Sequence, residues 1–189
     1  MFGEIENRFE VGESDEQTRI WFDIDRAPID ERGSPLEFLF RYWQEQRLIT
    51  GGLPRLDTFK PEEAVPADIA DCIYYVDARS DSPFNYIFAN HIPSPFPTHG
   101  SDLSGKRVND FPSLIHRRGL VAEYYFCVRN RQPRYDEIDQ VLNGWIRHYR
   151  RILLPVADRG GQISRIYYAI RRVSPSRPTV ESASFSAIN

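Results

Sequence analysis

Apolar residues at helical spacing predict a long helix over residues 35–48. Ser34 is suited to cap this helix, Pro35 suits its first position, and Gly51 follows its end. The large apolar side chains on one side of it are Leu36, Leu39, Phe40 and Trp43. This stripe is too apolar to face water, so it must cover a sheet of its own domain, pair with a second copy or receive a partner. These four residues are the predicted interface, and we expect a homodimer.

Alternating apolar residues predict five strands in the remainder of the chain. The strands are expected at 72–77, 84–90, 134–142, 145–156 and 162–172. An Asn-Gly pair at 143–144 and a Gly-Gly pair at 160–161 separate the last three strands and are typical of hairpins. Further helical stretches are predicted at 61–70 and 113–131. A helix, two strands, an irregular middle, a long helix and three antiparallel strands together define an α+β domain.

Both ends of the chain have the composition of disordered segments. Residues 1–19 are acidic and contain few apolar side chains, so they are predicted to form a disordered leader. Residues 174–189 are rich in Ser, Pro and Ala and are predicted to form a disordered tail. The folded unit is therefore expected to span residues 20–173.

Charge and composition exclude several classes of partner and location. The formal net charge is −3, which argues against a nucleic-acid or membrane-surface binder. No apolar run approaches the roughly 18 residues that span a bilayer, and no signal pattern opens the chain. Cys72 and Cys127 fit buried thiols of a reducing compartment better than a disulfide framework. We therefore expect a cytoplasmic protein.

The sequence contains none of the common catalytic motifs. It has no Gly-x-Ser-x-Gly elbow, no P-loop, no Gly-x-Gly-x-x-Gly segment and no His-Glu-x-x-His pair. Ser34 follows a glycine, but its role as a helix cap accounts for it. The prediction is that the protein is not an enzyme.

Residues 36–172 resemble a divergent PAS-domain family found mainly in alphaproteobacteria. The likeness runs through the Leu36-to-Trp43 helix, Leu-Pro-Arg at 53–55, Pro61, Gly-Ser-Asp-Leu-Ser-Gly-Lys at 100–106, Gln-Pro at 132–133 and Leu-Leu-Pro-Val at 153–156. The His-Ile-Pro-Ser-Pro-Phe-Pro-Thr-His segment at 91–99 departs from the family pattern. The resemblance implies a five-stranded antiparallel sheet with helices on one face and an additional N-terminal helix.

The resemblance also implies a sensory or protein-interaction module of bacterial signalling. Such a module acts through a partner, for example a histidine kinase or a regulator, and in this family a small molecule or a homodimer interface takes part. The alternatives are a small cone-shaped α+β enzyme or ligand carrier with the same element order, and a structural dimerisation module with a filled core.

No cofactor and no metal are predicted, with haem and flavin as the alternatives. His91 and His99 flank the proline-rich loop and lack the neighbouring thiols or carboxylates of a metal site. His116 begins the long helix from which PAS domains that bind haem take their axial ligand. The Cys127-Val-Arg-Asn segment is not the reactive cysteine motif that flavin photochemistry needs.

Strand alternation and helical spacing predict where a ligand pocket lies. The candidates are Tyr86, Phe88, His116, Tyr124 and Ile152, between the concave face of the sheet and the helix at 113–131. The same alternation places Arg147, Tyr149 and Arg151 on one face of their strand. We expect this to be an exposed face, balanced by acidic residues of the neighbouring strand, with phosphate or carboxylate binding as the alternative.

Overall fold

One antiparallel sheet of six strands forms the centre of the computed structural model, which describes residues 16–90, 103–111, 113–142 and 145–178. The strands are β1 (Glu16–Phe22), β2 (Ile73–Asp77), β3 (Ile87–Asn90), β4 (Arg134–Leu142), β5 (Trp145–Ala157) and β6 (Ile163–Pro178). Their order across the sheet is β1-β4-β5-β6-β2-β3, and every neighbouring pair is antiparallel. The sequence prediction of an α+β fold is confirmed.

Five α-helices accompany the sheet in the described part of the chain. They are α1 (Ala27–Asp30), α2 (Pro35–Thr50), α3 (Pro61–Ala64), α4 (Ala67–Ala70) and α5 (Leu114–Asn130). Ser34 caps α2 as predicted, because its Oγ accepts a hydrogen bond from the Glu37 amide at 3.4 Å. Gly51 ends α2 in the left-handed region, with φ of 65°, where a side chain would be strained. No helix among these is long and apolar enough to cross a membrane.

The two long helices lie on opposite faces of the sheet because side chains alternate along the central strand β5. Ile152, Leu154 and Val156 pack in the apolar cluster that contains the α2 side chains. Leu153 points the other way and packs with Leu120 and Tyr124 of α5. The resemblance implied helices on one face, but the sheet is covered on both.

The predicted interface residues of α2 are buried within their own domain. Leu36 and Leu39 are fully buried, and Phe40 and Trp43 are almost fully buried. The indole Nε1–H of Trp43 donates a hydrogen bond to the Pro155 carbonyl oxygen at 2.9 Å, which fixes α2 on β5. The interface prediction is therefore wrong for these four side chains, since the outer sheet face already covers them. The homodimer prediction loses this basis and stays untested.

The sixth strand, β1, begins inside the segment that was predicted to be a disordered leader. Residues 16–19 belong to β1, which pairs with β4 so that Arg19 lies opposite Ile138. The inward side chains of this strand are Gln17 and Arg19, which contact polar groups beneath α5, so the strand has little of the apolar alternation that predicts a sheet. At the other end, β6 continues to Pro178, past the predicted boundary of 173. Residues 1–15 and 179–189 lie outside the described residues.

Candidate functional site

Three of the predicted pocket residues lie together where α5 packs on the sheet. Tyr86, Phe88 and Tyr124 are buried in one apolar cluster with Cys127 and Leu153. The rings of Tyr86 and Tyr124 are 6.2 Å apart between centroids. Burial raises the pKa of the Tyr124 hydroxyl well above its usual value, so this group stays protonated at neutral pH. These side chains form the apolar half of the α5 face.

Ile152 is the predicted pocket residue that lies elsewhere, on the opposite face of the sheet. It packs in the α2 cluster, while its neighbours Arg151 and Leu153 face α5. The alternation along the strand was assigned correctly, but the face carrying Ile152 was matched to the wrong helix. A shift of one residue in such an assignment exchanges the two faces of a strand.

His116 is also on the α5 face, but in a polar environment. Its ring stacks on Phe111 with centroids 4.3 Å apart, and its Nδ1 is hydrogen-bonded to the side-chain amide nitrogen of Gln140. It is 8% exposed and therefore buried, although two arginines follow it directly in the sequence. His116 is therefore held by a ring and an amide near the start of α5.

A group of buried charges occupies the other half of the α5 face, and we call it the α5 charge cluster. Its members are Arg19 of β1, Glu123 of α5, Arg134 and Asp136 of β4, and Arg147 and Arg151 of β5. Glu123 forms ion pairs with both Arg19 and Arg151. The Nε of Arg134 donates to both carboxylate oxygens of Asp136 at 2.8 Å. The sequence prediction of an exposed arginine face is wrong, because Arg147 and Arg151 are 1% and 3% exposed.

The ion pairs of the cluster place two guanidinium groups on one carboxylate. Arg19 and Arg151 both pair with Glu123, whereas Arg134 pairs with Asp136. Burial, together with the nearby charge of Arg151, lowers the pKa of Arg19 to about 9. Two guanidinium groups close together in a poorly solvated place repel each other, and the carboxylate of Glu123 between them offsets this repulsion.

Three donor groups of this region have no acceptor within hydrogen-bonding distance in the part of the chain that the structure describes. They are Nε2 of Gln17, Nη2 of Arg19 and Nε of Arg151. A buried donor without an acceptor is destabilising by about 1–3 kcal/mol. The donors lie on the α5-facing side of β1 and β5, so an acceptor between α5 and the sheet could reach them.

Gly119 makes room for Arg19 in the middle of α5. A Cβ at this position would overlap Arg19 Nη2 and would lie 3.0 Å from Gln17 Oε1. A glycine inside a helix is destabilising by roughly 0.5–1 kcal/mol relative to alanine, so a contact of this kind accounts for its presence. Sequence reasoning missed this residue, although an interior helix glycine is a signal of close approach.

The buried carboxylate of Glu31 lies on the α2 face, and its arginine partners are more exposed than those of Glu123. It accepts a hydrogen bond from the Tyr135 hydroxyl at 2.9 Å and ion pairs from Arg150 and Arg171. Burial opposes the charge of Arg150, but its hydrogen bonds to Glu137 and Glu31 outweigh this and raise its pKa. The side chains of Arg150 and Arg171 are 22% and 37% exposed, so water also contacts them.

Metal and thiol chemistry find little support in the described residues. No three His, Cys, Asp or Glu side chains there are grouped as metal ligands. His91 and His99 lie outside the described residues. Burial raises the pKa of Cys127 to about 12, so this thiol is not a thiolate near neutral pH.

Comparisons of the chain with protein-family models, with curated proteins and with solved structures found no significant match. The resemblance to PAS domains therefore stays a prediction, and the geometry of the α5 face is the basis for any statement about function.

Proposed function

We propose that this protein is a sensory module of the PAS type that binds a small molecule between α5 and the sheet and signals through a partner protein. The observation that carries the proposal is the α5 charge cluster, in which Arg19 and Arg151 share the buried carboxylate of Glu123 and each keeps a donor without an acceptor in the described part of the chain. The element order agrees with the order that the sequence resemblance implied, with the strand β1 added at one edge. The proposal includes no catalytic step.

The charge cluster is better suited to a function than to stability. Replacing buried ion pairs by apolar side chains of similar volume is often neutral or stabilising, so stability alone gives little reason to keep them. Here the pairs also leave donors of Gln17, Arg19 and Arg151 without acceptors in the described part of the chain. Unfavourable buried polar groups of this kind are common at sites of binding.

The cluster also connects the site to a surface that a partner could contact. Glu123 of α5 is paired with Arg19, and Arg19 belongs to β1 at the edge of the sheet. The same strand carries Ile20 and Trp21, which are 51% and 46% exposed. A molecule that changes the Arg19–Glu123 contact would therefore change how β1 and its exposed side chains are held.

Native purification followed by denaturation and mass spectrometry of released small molecules tests the proposal. The matched comparison is the triple variant Arg19→Met, Glu123→Met, Arg151→Met, which keeps the side-chain volume and removes the charges. We expect the wild type to release a small molecule at near-stoichiometric amount and the folded triple variant to release none. Release of nothing from either protein, or of equal amounts from both, would overturn the proposal.

Hydrogen exchange tests the second part, the connection to β1. Adding the released molecule back to the wild type should slow exchange of the β1 amides, whereas the amides of β3 at the far edge serve as the control. Equal protection at both edges, or protection at neither, would contradict a path through Arg19.

A further inference from the structure

We infer that the outward side of α5 is a docking surface for an acidic segment of a partner protein. The carboxylates of that segment pair with exposed arginines, and its apolar side chains contact exposed aromatic rings. The inference rests on the proposed function, because it names the surface and the chemistry of the partner through which that function acts. Its basis lies on the exterior of α5, and no contact beneath the helix enters it.

One stripe of exposed side chains runs along α5, opposite the side that packs on the sheet. Its members follow one another at spacings of four, three and four positions, which places them on one side of a helix: Arg118, Ala122, Tyr125 and Arg129. The buried side chains of the helix lie on the other side and are those of His116, Leu120, Glu123, Tyr124 and Cys127. The stripe, together with Leu114 at 40% exposed one turn before it, is called the outer α5 face.

The outer α5 face is basic, and no carboxylate of the described chain offsets its charge. Arg118 and Arg129 are exposed and form no ion pair with any residue of the ranges 16–90, 103–111, 113–142 and 145–178. The carboxylate that α5 itself carries belongs to Glu123, which is 1% exposed and faces the sheet. Both arginines therefore present their full charge to solvent.

Two further arginines extend this charge at the ends of the helix. Arg117 donates to the Asn109 carbonyl oxygen at 2.8 Å. Arg131, which follows the last residue of α5, donates to the Gly161 carbonyl oxygen at 2.9 Å. Because a carbonyl oxygen carries no formal charge, these contacts hold the guanidinium groups in place and leave their positive charge uncompensated.

This charge pattern is not the one that stabilises a helix. Arg129 in the last turn suits the helix dipole, but Arg117 and Arg118 lie near the start of α5, where the dipole disfavours positive charge, and the first turn has no acidic residue. On α2, by contrast, Arg41 pairs at 2.7 Å with Glu37 of the first turn. Recognition of an oppositely charged partner accounts for a pattern that helix stability does not.

Exposed aromatic rings adjoin these arginines. Tyr125 lies between Arg118 and Arg129 and is 56% exposed, and Trp21 of β1 is 46% exposed. The Trp21 ring makes a T-shaped contact with Phe126 of α5, with centroids 4.6 Å apart, so it borders the outer α5 face on the β1 side. Tyr, Trp and Arg are the residue types enriched where protein interfaces gain most of their affinity. The surface therefore has the composition of a protein-binding site.

The spacing of the charges suits a short polypeptide. Arg118 and Arg129 are separated by about 16 Å along the helix, a length that an extended chain covers in about five residues. A segment with carboxylates at both ends and apolar side chains between them can reach both arginines and Tyr125 together. A nucleic acid or an anionic membrane would instead bring negative charge over a wide area of a chain whose formal net charge is −3. These observations favour an acidic polypeptide.

Fluorescence anisotropy with the full chain tests the inference. The probe is a labelled synthetic peptide, Glu-Glu-Leu-Ala-Leu-Glu-Glu, and its control has Gln in place of every Glu. We expect saturable binding of the acidic peptide, at least about tenfold weaker binding of the control, and a loss of affinity as the salt concentration rises. Equal binding of the two peptides, or binding of neither, would overturn the inference.

Two double variants and one single variant locate the peptide on the protein. Arg118→Gln with Arg129→Gln removes both exposed charges of the outer α5 face, and we expect about tenfold or more weaker binding. Arg32→Gln with Arg47→Gln removes two exposed arginines near α2 and should bind within about twofold of the wild type. Tyr125→Ala changes no charge and should weaken binding about threefold or more. Equal weakening by both double variants, or no effect of Tyr125→Ala, would contradict docking at this face.

Other occupants of the outer α5 face give different results, and each of these would overturn the inference. A wild-type dimer in sedimentation that the Arg118→Gln, Arg129→Gln variant dissociates would assign the face to a second copy. Binding to duplex DNA, or to vesicles of phosphatidylglycerol and phosphatidylcholine, without binding to the peptide would assign it to a nucleic acid or a membrane. Peptide binding that appears only when Glu4, Glu6 and Glu10 are replaced by Gln would assign it to the chain's own acidic segment.

The outcomes separate this inference from the proposed function. If the natively purified protein releases a small molecule but the acidic peptide does not bind, the docking surface is wrong and the sensory function stands. If nothing is released and the peptide binds the outer α5 face, the docking surface stands and the sensory function is wrong.

Discussion

On each face of the sheet one buried glutamate pairs with two arginines of the described chain, and the two glutamates, Glu31 and Glu123, are surrounded in different ways. Glu31 on the α2 face is paired with Arg150 and Arg171, whose side chains are partly exposed, and Tyr135 donates a further hydrogen bond. Glu123 on the α5 face is paired with Arg19 and Arg151, and the latter is almost fully buried. Water helps to solvate the first group of charges and has little access to the second.

The two faces therefore differ in how well their composition suits stability and how well it suits binding. The α2 face is an apolar cluster whose charged groups lie at its border, which is the arrangement that maximises burial of apolar surface. The α5 face instead buries the charged side chains of Arg19, Glu123 and Arg151, where apolar residues could stand. Regions that depart from the most stable arrangement are those where binding is expected. The following predictions test whether the two faces differ in this way.

The largest effect is expected from Trp43→Ala on the α2 face. The indole is 1% exposed and donates to the Pro155 carbonyl, so the change leaves a cavity and an acceptor without its donor. We expect the free energy of unfolding to fall by about 3–5 kcal/mol in denaturant titrations. Leu48→Ala on the same helix is the control, since Leu48 is 84% exposed and should change stability by less than about 0.5 kcal/mol. Similar losses in both variants would contradict the packing of α2 on the sheet.

The next effect compares the two buried glutamates directly. Glu123→Gln leaves two guanidinium groups without their carboxylate in a poorly solvated place, and we expect a loss of about 3 kcal/mol. Glu31→Gln should cost about 1–2 kcal/mol, because Arg150 keeps Glu137 and both arginines reach water. Urea unfolding of the two variants in one buffer gives the comparison. A larger loss for Glu31→Gln would show that the charges of the α2 face, and not those of the α5 face, are the less well solvated group.

For Gly119→Ala we expect a smaller change in stability, opposite in sign to that of an ordinary glycine-to-alanine substitution in a helix. Glycine to alanine inside a helix ordinarily stabilises a protein by roughly 0.5–1 kcal/mol. Here the new Cβ would overlap the end of Arg19 and displace it from Glu123, so we expect a loss of about 1–2 kcal/mol. In an Arg19→Met background the same substitution should be neutral or stabilising. A double-mutant cycle measures this coupling, and additive effects would show that Arg19 does not lie over the glycine.

Much of the fold could be predicted from local sequence signals. The cap at Ser34, the left-handed Gly51 and the apolar stripe predicted α2 to within two residues of its observed end, and β4 was predicted with its observed bounds. These signals are local, because caps, turns and periodicity act between residues close in the chain.

The parts that could not be predicted depend on contacts between distant residues. β1 is polar on its inner side because Arg19 meets Glu123, which is 104 residues away along the chain, and no local pattern indicates that pairing. The face assignment of Ile152 failed for a related reason. Periodicity gives the alternation along a strand, but only the packing of helices decides which face belongs to which helix.

The sequence predicted the aromatic part of the candidate site but not the burial of its arginines. Tyr86, Phe88 and Tyr124 do lie in one buried cluster, since large aromatic residues favour a core, but whether they line a ligand pocket stays a prediction. The arginines of β5 were assigned to one face but expected to be exposed, because charged residues are seldom buried. Their burial follows from the facing carboxylate of α5, which a sequence pattern does not reveal.

The smallest effect concerns the two thiols, and it reports how firmly α5 is held on the sheet. Cys127 is fully buried and burial raises its pKa to about 12, while Cys72 is half-buried. With a thiol reagent at pH 8, we expect Cys72 to react rapidly and Cys127 to react only when α5 opens or the chain unfolds. Because the Cys127 thiol loses its proton near pH 9 when unfolded but near pH 12 when folded, its contribution to stability should fall as the pH rises between these values. A Cys127→Ala variant should lack this part of the alkaline loss.

The same labelling distinguishes the apolar and charged halves of the α5 face. Gly119→Ala disturbs the charged half, about two helical turns from Cys127, so the Cys127 labelling rate should rise a few-fold if α5 opens as one unit. The Arg19→Met background should restore the slow rate, because the displaced guanidinium is then absent. Unchanged labelling in Gly119→Ala, together with a measurable loss of stability, would mean that the two halves open separately. A ligand bound to the charged half would then leave the apolar half of the helix in place.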